Sequence, residues 1–134
     1  MLLKELLPDM ELHASTQMHI HNHDGILMMK EEGASRVVVP RETTIEEIRE
    51  YAKLGLDLEV FVQGALCVSY SGQCLMSSQT LQRSGNQGEC AQNCRMQYTL
   101  EKEENGIRKD VSTKGSYLLS CKDLNTLEEV PRLI

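Results

Sequence analysis

Tryptophan is absent from this chain of 134 residues, phenylalanine occurs once, and four tyrosines complete an aromatic share of 4%. A core without large rings has to be filled by Leu, Val, Ile and the seven Met, which are small or flexible enough to pack in their place. Long apolar runs are missing as well; none approaches the ~18–20 residues that a membrane-crossing helix needs. The leucines of the opening MLLKELLPDM are interrupted by Lys4 and Glu5, and no small-residue cleavage site follows, which excludes a secretory leader there and points to the cytoplasm. Basic excess is absent: a net charge of -6 argues against a broad nucleic-acid-binding face, though not against a local one. Internal repeats, low-complexity tracts, a GxSxG elbow, a Walker loop, a GxGxxG fingerprint and an HExxH helix are all lacking.

What is present reads as one soluble domain with 40% hydrophobic and 25% charged residues. Strands are expected at residues 10–16, 35–40 and 57–62. The run Val37-Val38-Val39 has the continuous apolar character of a strand covered on both faces, as in parallel sheets. The first two strands are followed by expected helices at 24–32 and 44–54. The second helix has Thr44 as N-cap, Glu47 completing a capping box, Ile45, Ile48 and Ala52 on one face and Gly55 at its end. Strand starts spaced by about 22 to 26 residues suit successive strand-helix units on a parallel sheet. The predicted fold class is therefore α/β, with about three to four parallel units of a partial eight-stranded barrel, since a complete barrel takes ~250 residues. LLKELLPD reads as the end of a preceding helix and NTLEEVPRLI as the start of a new one, so a central fragment of a larger fold is expected.

Residues 1–98 would hold the strand-helix units and a cysteine loop. Asn105-Gly106 is a hairpin-turn dipeptide, so 99–115 reads as a two-stranded excursion. Residues 116–134 would bring back a fourth core strand, SYLLS at 116–120, and begin a helix.

Five cysteines are an odd number, and in a reducing compartment they favour metal or redox chemistry over disulfides. Cys67 and Cys74 follow the third strand, and Cys90 and Cys94 lie on the polar, glycine-rich RSGNQGECAQNCR. Such a loop can bring several thiolates around one centre, beyond the carboxyl end of a parallel strand, where α/β folds place their sites. The alternative is that cysteine serves as a small buried hydrophobe, a reading that suits Cys121 best. Zinc knuckles use closer spacings than Cys67–Cys74, so a four-thiolate iron-sulfur cluster is the better match. His19, His21 and His23 alternate as metal ligands on a strand would, but hydrogen bonding at a strand end and a helix start explains them more simply. His13 is the histidine expected in a pocket. Glu59, Arg41 and Glu42 could shape that pocket, although an Arg41–Glu42 ion pair accounts for the last two. Arg83 and Arg95 could meet phosphate or a carboxylated co-substrate. Met28 and Met29 read as core, and Glu46-Glu47 and Glu101–Glu104 as solvated faces.

The stretch EVFVQGALCVSYSGQCLMS, residues 59–77, resembles the signature of the collagenase-like peptidases, family U-32. Glu59, Phe61, Gly64, Ala65, Leu66, Cys67, Gly72, Cys74 and Ser77 fall where that pattern places them. ELHASTQ, VVPRE, GNQGECAQNCR and LLSCKDL follow the family's landmarks in order, so the resemblance spans the chain. It implies a (β/α) barrel of which this would be the middle, and either collagen-type proteolysis or the oxygen-independent hydroxylation of RNA bases or the ubiquinone ring. The RNA-directed relatives depend on prephenate and on a 4Fe-4S cluster held by four cysteines. Carried over, the ligands are Cys67, Cys74, Cys90 and Cys94, the later pair varying among relatives, with Cys121 a poor candidate where proline is expected. Gln63 departs from a family histidine, which weakens any acid-base role at that position. Three readings result: an RNA hydroxylation enzyme, a peptidase, and a fragment inactive alone. In the last, unpaired strand edges would favour self-association.

Overall fold

A computed structural model of the chain describes residues 2–111 and 116–134. After a short helix α1 (Leu2–Leu6), strand β1 (His13–Ala14) leads into a 3-10 turn and then α2 (His23–Glu31). Strand β2 (Arg36–Val38), helix α3 (Ile45–Ala52) and strand β3 (Asp57–Glu59) follow. The three strands form one sheet in the order β1-β2-β3, parallel throughout, with Val37 opposite both Ala14 and Leu58. The strands are shorter than expected. Parallel pairing reaches from Leu12, whose carbonyl accepts from Ser35 N–H, to the Val39–Glu59 hydrogen bond, and then the chains diverge.

Burial explains the arrangement. Val37 is fully enclosed, with Ala14, Ile26, Met29, Ala34 and Tyr51 around it, so the core is the seam between the sheet and helices α2 and α3. Helix α2 contributes Ile26 and Met29 from one stripe. Met28, expected in the core, lies on the opposite side and is 51% exposed, because successive helical residues point about 100° apart. On α3 the buried stripe is Ile48 and Tyr51; Ala52, expected on that face, is exposed.

The α3 cap is as expected. Thr44 Oγ1 accepts from Glu47 N–H at 3.3 Å, and the Glu47 carboxylate accepts from Thr44 N–H at 2.8 Å. The helix closes at Lys53, and Gly55 turns the chain two residues later at φ +69°. The hydrogen bond from the Thr44 backbone, then that from its hydroxyl, hold the Glu47 carboxyl below its ordinary range. Thr44→Ala should lower stability by about 1 kcal/mol at about neutral pH. A carboxyl lowered in the folded state stabilises above its unfolded pKa and loses that contribution as pH falls through the folded one, so the difference should shrink in acid. Urea midpoints of both proteins at neutral and acid pH check this.

Beyond β3 the chain leaves the parallel sheet. Strand β4 (Gln63–Ala65) is followed by α4 (Met76–Leu81) and then by the hairpin β5 (Glu101–Glu104) and β6 (Ile107–Asp110). Asn105 and Gly106 both adopt positive φ, as the hairpin reading requires; residues 112–115 at the excursion's end lie outside the described residues. The expected fourth core strand at 116–120 is not formed. Ser116 makes a single antiparallel bridge to Tyr98, and a turn closed by Ser120 N–H on the Tyr117 carbonyl follows, leaving Tyr117, Leu118 and Leu119 exposed. The returning strand is β7 (Asp123–Asn125), which pairs antiparallel with β4 in a separate two-stranded sheet. The segments 1–98 and 116–134 are thus joined by strand pairing. A final 3-10 turn and α5 (Val130–Leu133) end the chain.

Candidate functional site

Three loops that leave the carboxyl ends of the parallel strands meet above the sheet. The β1 loop brings Thr16 and Gln17, the β2 loop Arg41, and the chain beyond β3 and β4 brings Cys67 and Cys74. Cys67 and Cys74 bracket a turn in which Gln73 N–H donates to the Tyr70 carbonyl at 3.1 Å. Gly72, at φ +81°, lies so close to the β1 loop that a Cβ there would stand 2.9 Å from the Gln17 carbonyl oxygen. The turn therefore requires glycine on both conformational and steric grounds.

Helix α4 begins directly after this loop and recruits the second pair of thiols. Its buried Ser77 Oγ accepts from Ala91 N–H at 3.1 Å, and Thr80 is hydrogen bonded by the amide of Asn93. Asn93 is itself buried, and its carbonyl accepts from Tyr98 Oη at 2.9 Å. Cys90 and Cys94 are thereby returned to the Cys67–Cys74 loop. All four thiols line one cavity of about 60 Å³ together with Thr16, Gln17 and Arg41. A neighbouring, wider cavity of about 330 Å³ shares Cys67, Cys90, Cys94 and Arg41 and adds Gln92 and Arg95.

Arg41 is the cation of this site. Its guanidinium stacks over the Phe61 ring at 4.0 Å, and its Nη1 stands 3.8 Å from Cys67 Sγ. The expected Arg41–Glu42 pair does not form, because the Glu42 carboxylate is turned to Ser71. Cys67 keeps exposed surface, yet partial burial of its sulfur pushes the thiol above its ordinary range. Arg41 pulls it down by less, and Cys94, Cys90 and Glu42 push it the same way as burial does. Arg95 is committed elsewhere: Nη1 donates to Ser120 Oγ and the Cys121 carbonyl, and Nη2 to the Leu66 carbonyl and Asp123. Arg83 is exposed and lines neither cavity.

The other expected pocket residues stand apart. His13 is exposed because its neighbour Ala14 takes the inward position of β1, and alternate strand residues face opposite sides. Glu59 lies 3.9 Å from Arg36 across the sheet, and Gln63 is paired with Asn125 in β4. None of these three lines the thiol cavities. His19 and His21 are hydrogen bonded to the Ser71 carbonyl, and His23 opens α2 beside Asp24. Cys121 does not line the cavity, but its thiol reaches the Cys67 carbonyl at 3.6 Å. Ser71 and Ser77, which organise the two cysteine loops, had no distinguishing mark in the sequence beyond Ser77's place in the signature.

Among the described residues no three His, Cys, Asp or Glu side chains stand close enough to hold a single metal ion. Four thiolates around one ion such as zinc would lie about 4 Å apart. Four cysteines lining one cavity are the donor set that a thiolate-held iron-sulfur cluster takes.

This chain belongs to Peptidase family U32, whose model matches residues 1–134. It is 37% identical over 134 residues to a tRNA hydroxylation protein P1 of Bacillus subtilis, covering 98% of this chain and 32% of that protein. A 23S rRNA 5-hydroxycytidine synthase of Escherichia coli is 37% identical over 129 residues, 96% of this chain and 19% of its own length. A collagenase of Porphyromonas gingivalis is 31% identical over 136 residues, 92% of this chain and 32% of that protein. The chain thus spans a third or less of the length of these relatives. No solved structure matches it significantly.

Proposed function

We propose that the chain is the cysteine-bearing part of an iron-sulfur enzyme that hydroxylates RNA bases without molecular oxygen, built on strand-helix units of a (β/α) barrel and working in the cytoplasm. The observation that carries this reading is the single cavity lined by Cys67, Cys74, Cys90 and Cys94. The relatives named for tRNA and rRNA hydroxylation support the RNA substrate. Four thiolates would hold a 4Fe-4S cluster, which supplies one-electron chemistry when bound. The chain's own contribution is positional. Cys67 must lose its proton to ligate, and Arg41 at 3.8 Å favours the thiolate while burial opposes it. Arg41 has no carboxylate partner among the described residues and lines the wider cavity. A carboxylated co-substrate, with prephenate the candidate, would meet it there through a bidentate contact. Arg95, with its donors already engaged, would not take that role.

Among the described residues no helix is long and apolar enough to cross a membrane. The second reading is a peptidase, favoured by the collagenase relative, and it requires gelatin cleavage that survives removal of iron. The third is a piece inert by itself, whose open sheet edges drive self-association. Protein purified without air should be brown and carry about four iron atoms per chain under the first reading. Colourless, iron-free protein from the same preparation would overturn it.

A further inference from the structure

Ser71 lies inside the loop that joins Cys67 to Cys74, and it is buried. Its polar groups are all held by side chains from other loops. The backbone N–H donates to Glu42 Oε1 at 2.9 Å, and the hydroxyl to Glu42 Oε2 at 3.0 Å. The carbonyl accepts from His19 Nδ1 at 2.9 Å and from His21 Nε2 at 3.3 Å. His19 Nε2 in turn accepts from the Gln73 amide at 2.6 Å, an arrangement that places the ring proton on Nδ1, facing Ser71. The two imidazoles lie 4.2 Å apart between centroids, with Tyr70 at the edge of His21. The His21 carbonyl accepts from the hydroxyl of buried Tyr51 at 3.0 Å, which ties the assembly to helix α3 and the core.

Solvent could satisfy a surface serine, and an exposed seven-residue step between two thiols could adopt many conformations. Here a carboxylate from the β2 loop and two histidines from the β1 loop converge on one residue of it. We propose that Glu42, His19 and His21 are positioning residues: they clasp Ser71 and hold the Cys67–Cys74 loop in one conformation, so that its two thiols are spaced for a metal centre before one binds. The clasp itself is independent of any metal; its purpose rests on the iron-sulfur reading.

Two measurements separate the clasp from its purpose. In metal-free, reduced protein, amide hydrogen exchange at residues 68–73 should accelerate in Glu42→Ala by roughly tenfold or more, the effect of losing charge-assisted hydrogen bonds on a local opening. Exchange in α3 and β2 should stay as it was. Glu42→Gln, which is neutral and keeps one of the two acceptor oxygens, should fall between Glu42→Ala and the wild type. In protein prepared without air, iron should pass to a chelator faster from Glu42→Ala than from wild type, with Glu42→Gln again between them. Unchanged exchange in Glu42→Ala overturns the clasp whatever iron does. Faster exchange with unaltered iron retention overturns the positioning role. If the wild type holds no iron, the iron-sulfur reading fails, and the exchange measurement still decides whether the clasp exists.

Discussion

Cys67→Ala should abolish iron uptake, while Cys121→Ala should leave most of it in place. Cys121 lies against the same loop, its Sγ reaching the Cys67 carbonyl at 3.6 Å, so mere proximity to the loop does not distinguish the two cysteines. The cavity does: Cys67 lines it with Cys74, Cys90 and Cys94, and Cys121 does not. Removing one of four thiolates leaves a cluster without a corner ligand, and an alanine methyl offers no substitute. Cys74→Ala should act like Cys67→Ala. Loading should also depend on pH in a set direction. Burial holds the Cys67 thiol above its ordinary range, so the proton that ligation must release leaves more readily as pH rises, and reconstitution should be faster on the alkaline side. Iron and sulfide analysis of the proteins purified without air checks the set. Equal iron in wild type and Cys67→Ala would remove the four-thiol assignment.

The difference between what the sequence disclosed and what it concealed follows from the range of the interactions. Helix α3 was legible to its cap, because Thr44 and Glu47 are three residues apart and satisfy each other. The parallel pairing of the three strands was legible because Val37, Val38 and Val39 form a continuous apolar run; Val37 and Val39 are buried on one face and Val38 is half-buried on the other. The cysteine cavity was legible because Cys67, Cys74, Cys90 and Cys94 fall close together in sequence and the glycine and polar residues around the later pair announced a loop able to return to the earlier one. The fate of 116–120 was not. Its apolar look suggests a core strand, but the register is taken by Asp123–Asn125 against β4, more than fifty residues away in sequence. The Ser71 clasp was hidden for the same reason: its bonds to Glu42, His19 and His21 each cross about 30 to 50 positions, and no periodicity encodes them. His13 was expected in a pocket from its place at the strand end, but the sequence does not say which face of β1 the sheet will bury, and Ala14 takes the inward one.

The long-range closure around β7 makes Arg95 the second site of large effect. Its guanidinium is mostly enclosed and joins four acceptors: Ser120 Oγ at 3.0 Å, the Cys121 carbonyl at 3.3 Å, the Leu66 carbonyl at 3.2 Å and Asp123 at 3.1 Å. It follows Cys94 in sequence, Leu66 precedes Cys67, and residues 120–123 lead into β7. One side chain therefore fastens both cysteine loops to the returning strand. The ion pair with Asp123 adds little, since that carboxylate is largely exposed. The larger part comes from the two backbone carbonyls and the serine, which Arg95→Ala would leave without their donor. The expected loss is about 2–3 kcal/mol, read as a lower urea midpoint, with iron retention falling alongside it. Arg95→Lys should recover little, because a single ammonium cannot fork to four acceptors spread across two chain segments. A midpoint for Arg95→Lys equal to that of the wild type would show that charge alone holds the two loops, and the guanidinium geometry would then have no part in fixing where Cys67 and Cys94 stand.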